Sequence, residues 1–271
     1  MNNNASTEGV CLRPGGLLVV KFGGNAMTDH AEAALLEGIA TLWGAGVWVV
    51  LVHGGGPQID AALAVAGLAT TRIDGLRVTD DAALAVTESV LCASINKRLV
   101  RALLARGVRA AGISGQDGAL LVCGVEGEGK FGLVGAVAQV HPGILESLLA
   151  GGILPVVAPL GVARDGATAY NVNGDTAAGT IAAALRADAL VFLTNVDRLR
   201  RDPDDPASGI DSLDLAAARA FCTTPACAGS MKPKMNAIVS ALEGGVAQAL
   251  ITSELRPNDD RALCGGTVIS A

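Results

Sequence analysis

The chain has 271 residues, enough for one large domain or two small ones with a well-buried core. Apolar residues make up 51% of it and aromatic residues only 3%, and a net charge of −6 without a basic block argues against nucleic acid as a partner. No apolar stretch reaches membrane-spanning length, and the first residues do not resemble a signal peptide, so we expect a cytoplasmic protein. Its six scattered cysteines are then expected to be reduced, and the one close pair, Cys222 and Cys227, is not expected to bind a metal.

Apolar runs and longer helical patterns alternate along the chain. Residues 80–107 have only approximate helical spacing, but their length and closing glycine indicate one long helix or two joined helices. Residues 198–212 are charged and proline-rich, which predicts an exposed loop. The alternation predicts an α/β fold with a mainly parallel sheet. The other predicted helices span residues 31–43, 142–152, 176–187 and 233–245, and the predicted strands span residues 17–22, 47–52, 108–114, 119–125, 133–140, 153–159, 188–194, 246–252 and 266–270.

Two strand ends carry glycine-rich loops. Lys21 closes the first predicted strand and is followed by Gly23 and Gly24, at the place where open α/β sheets bind ligands. The alternative there is a plain strand-to-helix turn with an exposed lysine. The second loop, VHGGGPQ (52–58), has three consecutive glycines, more than a turn requires, and Pro57 suits the first position of a helix. Backbone N–H groups of two such loops predict a crevice that binds phosphate.

Two nucleotide-binding motifs are excluded or reinterpreted. The chain has no G-x-x-x-x-G-K-[ST], so it is not a P-loop enzyme. Residues 127–132, GEGKFG, match the dinucleotide pattern G-x-G-x-x-G, but a predicted strand follows instead of the required helix. We therefore interpret residues 127–132 as the turn of a hairpin between segments 119–125 and 133–140.

Three basic residues are candidates for binding an anion. Arg77, in DGLRVT, is able to grip a carboxylate through two parallel hydrogen bonds, although a lone arginine is more often a surface charge. Lys232 and Lys234 flank Pro233, which suits the first turn of a helix. Positive charge near a helix N-terminus is mildly unfavourable, and an anion bound there would offset it.

The stretch YNVNGDTAAG (170–179) concentrates hydrogen-bonding groups just before a helix. Asn173 or Asp175 could cap that helix, a contribution of ~1 kcal/mol. One cap is enough, however, and the segment supplies three polar side chains. Asn171 and Asn173 alternate, so in an extended backbone they face the same way, and Asp175 could orient a lysine. An active site is therefore favoured over a simple cap.

Six motifs in this order resemble the acetylglutamate kinase family of the amino acid kinase superfamily: KFGGNAM, VHGGGPQI, DGLRVT, YNVNGDTAAG, LTNVD and MKPKM. The resemblance covers the chain from about residue 17 to its end. It implies one amino acid kinase domain over residues 1–271, folded as a three-layer αβα sandwich with a mainly parallel central sheet. The half over about residues 17–165 would bind the amino acid, and the half over about 166–271 would bind ATP.

The resemblance also implies a reaction: ATP, with Mg²⁺ carried mainly on its phosphates, phosphorylates the side-chain carboxylate of N-acetyl-L-glutamate on the route to arginine. Lys21 and Lys234 match the lysines that stabilise the transferring phosphoryl group, and Asp175 matches the aspartate that organises them. Gly55 and Gly56 match the substrate-binding glycines, and Arg77 and Asn171 match the groups that hold the amino-acid carboxylate, with Asn173 alongside. The matched nucleotide-binding residues are Gly23, Gly24, Thr194, Asn195, Val196, Asp197, Gly229 and Met231, and no metal-binding residue is implied.

Two alternatives stay open from the sequence. Residues 94–99 and 112–118 also occur in relatives that phosphorylate aminoadipate attached to a carrier protein, so an N-acylated aminoadipate, free or carrier-borne, is a second candidate substrate. A catalytically silent nucleotide-binding regulator is the third reading, although Lys21, Asp175 and Lys234 are all present.

The sequence also leads to an expectation about assembly. Arginine-inhibited members of the family carry an N-terminal helix that links dimers into a hexamer. Here about sixteen residues precede the first strand, interrupted by Pro14, Gly15 and Gly16, and their apolar cluster is small. We therefore expect a homodimer, held by apolar helix surfaces of the N-terminal half, with little inhibition by arginine.

Overall fold

The computed structural model describes residues 9–24, 27–73 and 75–271, so the first eight residues and Asn25, Ala26 and Asp74 of the motifs lie outside it. Strands and helices alternate over this range, which confirms the predicted α/β class. The α-helices are α1 (Asp29–Gly44), α2 (Gly56–Val65), α3 (Asp81–Glu88), α4 (Lys97–Leu104), α5 (Gly143–Ala150), α6 (Gly174–Ala184), α7 (Leu215–Phe221) and α8 (Met231–Glu243). The strands are β1 (Val10–Cys11), β2 (Leu17–Phe22), β3 (Trp48–His53), β4 (Arg72–Ile73), β5 (Leu76–Arg77), β6 (Ala110–Ser114), β7 (Leu121–Val125), β8 (Val134–Val140), β9 (Leu154–Ala158), β10 (Leu160–Ala163), β11 (Ala169–Val172), β12 (Ala189–Leu193), β13 (Leu199–Arg200), β14 (Gly209–Ile210), β15 (Ser212–Asp214), β16 (Gln248–Thr252), β17 (Ala262–Leu263) and β18 (Thr267–Ser270).

An eight-stranded sheet runs through the centre of the molecule in the order β15-β18-β16-β12-β2-β3-β9-β6. Its neighbouring strands are parallel except for β16 and β18, which are antiparallel. In the register of the middle strands, Lys21 of β2 pairs with Val52 of β3 and with Phe192 of β12. The loops that follow these three strands therefore leave the sheet at the same edge.

Helices cover both faces of this sheet, and side chains of β2 alternate between two cores. Leu18, Val20 and Phe22 belong to a core that includes buried residues of α1, α2, α3 and α4. Val19 belongs to a second core with buried residues of α5, α6, α7 and α8. This period of two, with an apolar layer on each side, is expected for a strand buried on both faces. The three-layer αβα sandwich is therefore confirmed.

A small closed barrel of four strands, in the order β10-β11-β8-β7, accompanies the central sheet. β7 and β8 are antiparallel and are joined through a 3₁₀ turn at Glu126–Gly129, so the predicted hairpin is confirmed and the GEGKFG segment does not open a helix. Strands β10 and β11 were not predicted. Their residues include Gly161 and Asn171, and neither strand exceeds four residues, so the period-2 signal is weak.

Two further segments differ from the sequence-based expectation. Residues 80–107 form α3 and α4 joined by a π-helical stretch, Ser89–Asn96, so two joined helices is the better description. The predicted exposed loop over 198–212 is wrong in part, because β13 pairs with β14 and buries Leu199 and Ile210. Apolar contact of these two side chains with the second core explains the difference. No helix in residues 9–24, 27–73 and 75–271 is long and apolar enough to cross a membrane.

Candidate active site

Three charged side chains meet at the carboxyl end of the central sheet. Lys21 is the penultimate residue of β2, while Asp175 and Lys234 lie in the first turns of α6 and α8. Lys21 Nζ is 2.6 Å from Asp175 Oδ1, and Lys234 Nζ is 3.2 Å from Asp175 Oδ2. The structure thus brings together the three residues that the sequence singled out as catalytic, with the carboxylate between the two ammonium groups.

This lysine cluster, Lys21, Asp175 and Lys234, is largely removed from water. Burial raises the pKa of Asp175, but the charges and hydrogen bonds of the two lysines outweigh burial and leave that pKa below its ordinary 3.8. Burial lowers the pKa of Lys234 below its ordinary 10.5; the Asp175 carboxylate opposes this shift, and the charge on Lys21 adds to it. With one carboxylate for two ammonium groups, the cluster retains one net positive charge and suits an anion.

Asn171 and Asn173 both make hydrogen bonds within the protein, and both line the cavity. Asn173 is the N-cap of α6, and its Oδ1 accepts hydrogen bonds from the backbone N–H groups of Asp175 and Thr176 at 2.8 and 3.1 Å. Asn171, on β11, donates to Thr79 Oγ1 at 3.3 Å. Both also line the cavity beside the lysine cluster. Asn173 therefore does both things that the sequence suggested for this stretch: it caps α6, and it lines the cavity.

The two glycine loops touch each other. The backbone N–H of Gly54 donates to the carbonyl of Phe22 at 2.7 Å, and a Cβ added at Gly23 would come within 3.1 Å of Gly54. At Gly55, an added Cβ would come within 2.5 Å of the Ile95 side chain. Larger residues would thus separate the loops or displace the helix behind them. Pro57 stands in the first turn of α2, as predicted.

Arg77 is not the surface charge that its lone position in the sequence suggested as an alternative. Its side chain is 5% exposed, and its Nη1 lies 2.5 Å from Asp60 Oδ1. Nη1 also donates to Thr70 Oγ1 at 3.3 Å, and Nη2 donates to the carbonyl of Gly56 at 3.3 Å. These contacts fix the guanidinium against the second glycine loop. Sequence reasoning missed Asp60, because a carboxylate inside a helix gives no local signal of its tertiary partner.

A cavity of about 220 Å³ joins these groups. It adjoins a larger one of about 720 Å³ between the barrel and helices α6 and α8, and both are lined by Leu76, Val134, Asn173 and Pro233. The residues singled out from the sequence that line the smaller cavity are Lys21, Gly24, Gly55, Gly56, Arg77, Asn171, Asn173, Asp175 and Lys234.

The candidate nucleotide-binding residues are more dispersed. Gly229 lines the larger cavity, whereas Gly23, Met231 and the segment 194–197 line neither. Thr194 directly follows β12, and its hydroxyl donates to the carbonyl of Val196 at 2.8 Å. Because β12 lies next to β2 in the parallel sheet, this segment leaves the same sheet edge as Lys21. The structure thus brings this segment to the sheet edge at which Lys21 lies but not to either cavity.

Similarity to known proteins agrees with this geometry. A model of the amino acid kinase family matches residues 16–253. The chain belongs to this family. An acetylglutamate kinase of Jannaschia sp. is 43% identical over 243 residues, covering 89% of this chain and 84% of that one, and another of Synechococcus sp. is 43% identical over 236 residues, covering 86% and 80%. Among solved structures, smu.665 of Streptococcus mutans UA159 has a TM-score of 0.81 at 26% identity, covering 94% of this chain and 98% of that one. The resemblance inferred from the six motifs is confirmed.

In this amino acid kinase, a buried polar network of His53 and Asn96 contacts the backbone of the second glycine loop. His53 is fully buried, its Nδ1 lies 3.0 Å from the Gly54 carbonyl, and its Nε2 lies 3.2 Å from Asn96 Nδ2. Asn96 also donates to the carbonyl of Val156 at 2.9 Å, which ties the network to β9. Burial lowers the pKa of His53 to about 4, so the ring is neutral at physiological pH. This supporting role of residues 94–99 gives no signal in the sequence, because the contact of Asn96 with His53 is set by the tertiary fold.

Proposed function

We propose that this chain uses ATP to phosphorylate the side-chain carboxylate of N-acetyl-L-glutamate, giving N-acetyl-L-glutamyl 5-phosphate in arginine biosynthesis. The observation that carries the proposal is the buried lysine cluster, which lines one cavity together with Arg77. The acetylglutamate kinases that cover most of this chain support the choice of substrate. A catalytically silent relative would have no need of two lysines buried around a single carboxylate.

The lysine cluster suits phosphoryl transfer because that reaction mainly requires alignment and neutralisation of negative charge. The acceptor is a carboxylate and is already ionised at neutral pH, so no general base is needed. We assign Lys21 and Lys234 to stabilising negative charge on the transferring phosphoryl group, and Asp175 to holding their ammonium groups in place. Because Lys21 and Asp175 are buried and the side chain of Lys234 is only 13% exposed, their charges act in a medium of low polarity and need little rearrangement during the reaction.

The substrate side of the cavity is assigned to the second glycine loop, Arg77 and the asparagines. Gly55 and Gly56 offer backbone N–H groups next to Arg77, whose guanidinium would bind a carboxylate of the amino acid. The amide of Asn171 would help Arg77 to hold that carboxylate, and the amide of Asn173 would contact the acetyl group, in both cases without adding charge. These residues come from both sides of residue 165, so the proposed amino-acid-binding half needs Asn171 and Asn173 from the other half.

The nucleotide side is assigned to Gly23, Gly24, Gly229, Met231 and the segment 194–197. Mg²⁺ would arrive on the phosphates of ATP, because this ion usually keeps several waters and binds through substrate phosphates with few protein ligands. The ion would add positive charge to that of the lysine cluster at the phosphoryl group. The half over about residues 166–271 would then bind ATP.

The aminoadipate alternative loses its residue-based support. It rested on residues 94–99 and 112–118, and these two segments contact each other. Asn96 donates to the carbonyl of Ile113 at 3.3 Å, and Lys97 donates to that of Gly112 at 2.7 Å. Neither segment lines the cavity that holds the lysine cluster. Packing behind His53 therefore accounts for these two segments without a carrier-borne substrate.

We also propose that the enzyme is a cytoplasmic homodimer held through the N-terminal half. Val65 of α2, which is 90% exposed, and Leu104 of α4, which is 51% exposed, are candidate interface residues. Light scattering of the wild type and of a Val65→Glu variant would test the proposal. A monomer at all concentrations would contradict it.

The experiment that tests the proposed reaction is an ADP-release assay with hydroxylamine to trap the acyl phosphate. N-acetylglutamate, N-acetylaminoadipate, glutamate and aspartate would be compared at equal ATP. We expect N-acetylglutamate to give the highest kcat/KM and a hydroxamate. Faster turnover of N-acetylaminoadipate would instead favour the alternative substrate, and release of ADP without hydroxamate would contradict an acyl phosphate product.

A further inference from the structure

Two arginines face each other across the hairpin formed by β4 and β5. The strands are antiparallel, and Arg72 is the direct register partner of Arg77. Like charges placed directly opposite on two strands destabilise the pair. The hairpin keeps them nevertheless, which indicates that negative charge lies between or beside them.

Asp60 of α2 supplies part of that negative charge. Its Oδ1 lies 2.5 Å from Arg77 Nη1, and its Oδ2 lies 2.8 Å from Arg72 Nη2. Burial raises the pKa of Asp60, but the hydrogen bond and charge of Arg77 together with those of Arg72 outweigh it and keep the pKa below 3.8. One carboxylate thus faces two guanidinium groups, and this arginine cluster, Arg72, Asp60 and Arg77, retains one net positive charge. Asp74 lies outside the described residues and is not counted.

The two arginines differ in how many of their donors are free. Arg77 is almost fully buried, and both of its terminal nitrogens donate within the protein, to Asp60, Thr70 and Gly56. Arg72 makes a single hydrogen bond among the described residues, to Asp60, and its side chain is 44% exposed. A guanidinium has five N–H donors. Arg72 therefore has donors available toward the cavity, which it lines next to Gly56.

Two charged clusters of the same composition contribute side chains to the lining of the cavity. Lys21 and Lys234 share Asp175, and Arg72 and Arg77 share Asp60. Among the described residues, each cluster has two cations and one carboxylate. The charges match a ligand with two separate anionic groups, one at the lysine cluster and one at the arginine cluster.

We propose that Arg72 is a second binding residue for the α-carboxylate of the amino-acid substrate, and that Asp60 positions Arg72 and Arg77 so that the site selects acids with a free α-carboxylate. This proposal rests on the proposed function, because it takes N-acetylglutamate as the dianion. Arg77 fixes the position of the carboxylate from the buried side, and Arg72 closes over it from the exposed side.

The test compares KM for two acids in the wild type and in variants of Arg72. The acids are N-acetylglutamate and its α-amide, which keeps the reacting side-chain carboxylate and lacks the α-carboxylate. In Arg72→Gln, we expect KM for N-acetylglutamate to rise about tenfold, the scale of losing a hydrogen bond to a charged group, with little change in KM for ATP. KM for the α-amide should change less than twofold, and Arg72→Lys should recover part of the loss for the acid.

The matched control is Arg219→Gln, because Arg219 also pairs with one carboxylate, that of Glu243, and is comparably exposed, but lies away from the cavity. It should leave both acids unchanged. An equal loss for the acid and the amide in Arg72→Gln, or no loss for either, would overturn the inference while leaving the proposed function intact.

A calorimetric titration with N-acetylglutamate distinguishes failure of the role proposed for Arg72 from failure of the proposed phosphorylation reaction. If the wild type binds this acid without phosphorylating it, the proposed function fails, and weaker binding by Arg72→Gln still supports the role of Arg72. If the wild type neither binds nor phosphorylates the acid, both proposals fail.

Discussion

Lys21 Nζ lies 2.6 Å from Asp175 Oδ1, although one residue lies near the end of β2 and the other in the first turn of α6, more than 150 positions further along the chain. Both side chains are less than a tenth exposed. Removing one member of a buried ion pair leaves the other charge without compensation, which costs more than an exposed pair contributes. The contact therefore joins β2 to α6 at the site, and Lys234 adds a second cation on the same carboxylate.

We expect Lys234→Ala to lower kcat by at least ~10²-fold, the effect of losing one preorganised electrostatic donor. Its ammonium group lies at the cavity beside Asp175, so the loss should fall on the reaction and not on ATP binding alone. Steady-state kinetics with N-acetylglutamate and ATP would measure it. Lys232→Ala is the control, since Lys232 stands in the same helix turn but is exposed. The reverse ranking of the two variants would show that the wrong lysine was assigned.

We expect Arg77→Lys to weaken use of N-acetylglutamate by at least ~10-fold in kcat/KM, because lysine cannot make the planar contacts of a guanidinium. KM for ATP should change little. Arg77 also bridges Asp60 and the carbonyl of Gly56, so the variant's thermal unfolding should be followed in parallel. Equal losses for both substrates in a variant of wild-type stability would contradict a role specific to the amino acid.

We expect kcat to fall at alkaline pH with a midpoint below 10.5, because the pKa of Lys234 is lowered by burial and by the Lys21 charge. The loss follows deprotonation, so activity is present below this midpoint and declines as pH rises through it. A pH profile of kcat at saturating substrates would measure the midpoint. In Lys234→Arg the side chain stays charged, and the residual activity should lose this alkaline decline. An unchanged midpoint would assign it to another group.

The sequence predicted most of the site because its signals are local. Lys21 and the HGGG segment each follow an apolar strand, and parallel neighbouring strands bring such loops to one edge of a sheet. The cluster of polar residues before α6 indicated a site for a similar reason, since a cap alone needs one of them. These inferences require only a strand, its end and the residue types that follow.

Pairings set by the tertiary fold could not be predicted in the same way. Asp60 sits in a helix and meets Arg72 and Arg77 only because α2 packs beside the β4–β5 hairpin. Leu199 is buried although arginines flank it in the sequence, and a charged segment of this kind predicts an exposed loop. In the arginine cluster, the sequence therefore predicted only Arg77. Arg72 and Asp60, which set the net charge of the cluster, were found in the structure.

His53 leads to a prediction about stability because it is buried in its neutral form. Its pKa is about 4 in the folded protein and 6.5 for an unburied histidine, and burial is the main cause. Between these values the unfolded chain binds a proton that the folded protein does not. The free energy of unfolding therefore rises with pH from about 4 to 6.5 and gains nothing from His53 above that window.

We expect His53→Gln to remove about 3 kcal/mol of the pH dependence of the unfolding free energy between pH 4 and 6.5, since the shift from 6.5 to about 4 is worth roughly 1.4 kcal/mol for each pKa unit. Urea unfolding at a series of pH values would measure both slopes. The comparison uses the difference between variant and wild type, so carboxylates that titrate in the same window cancel. His141→Gln, at an exposed position, is the control for loss of a histidine as such. Parallel curves for wild type and His53→Gln would mean that the ring is protonated inside the fold, with Asn96 Oδ1 turned toward it as the acceptor.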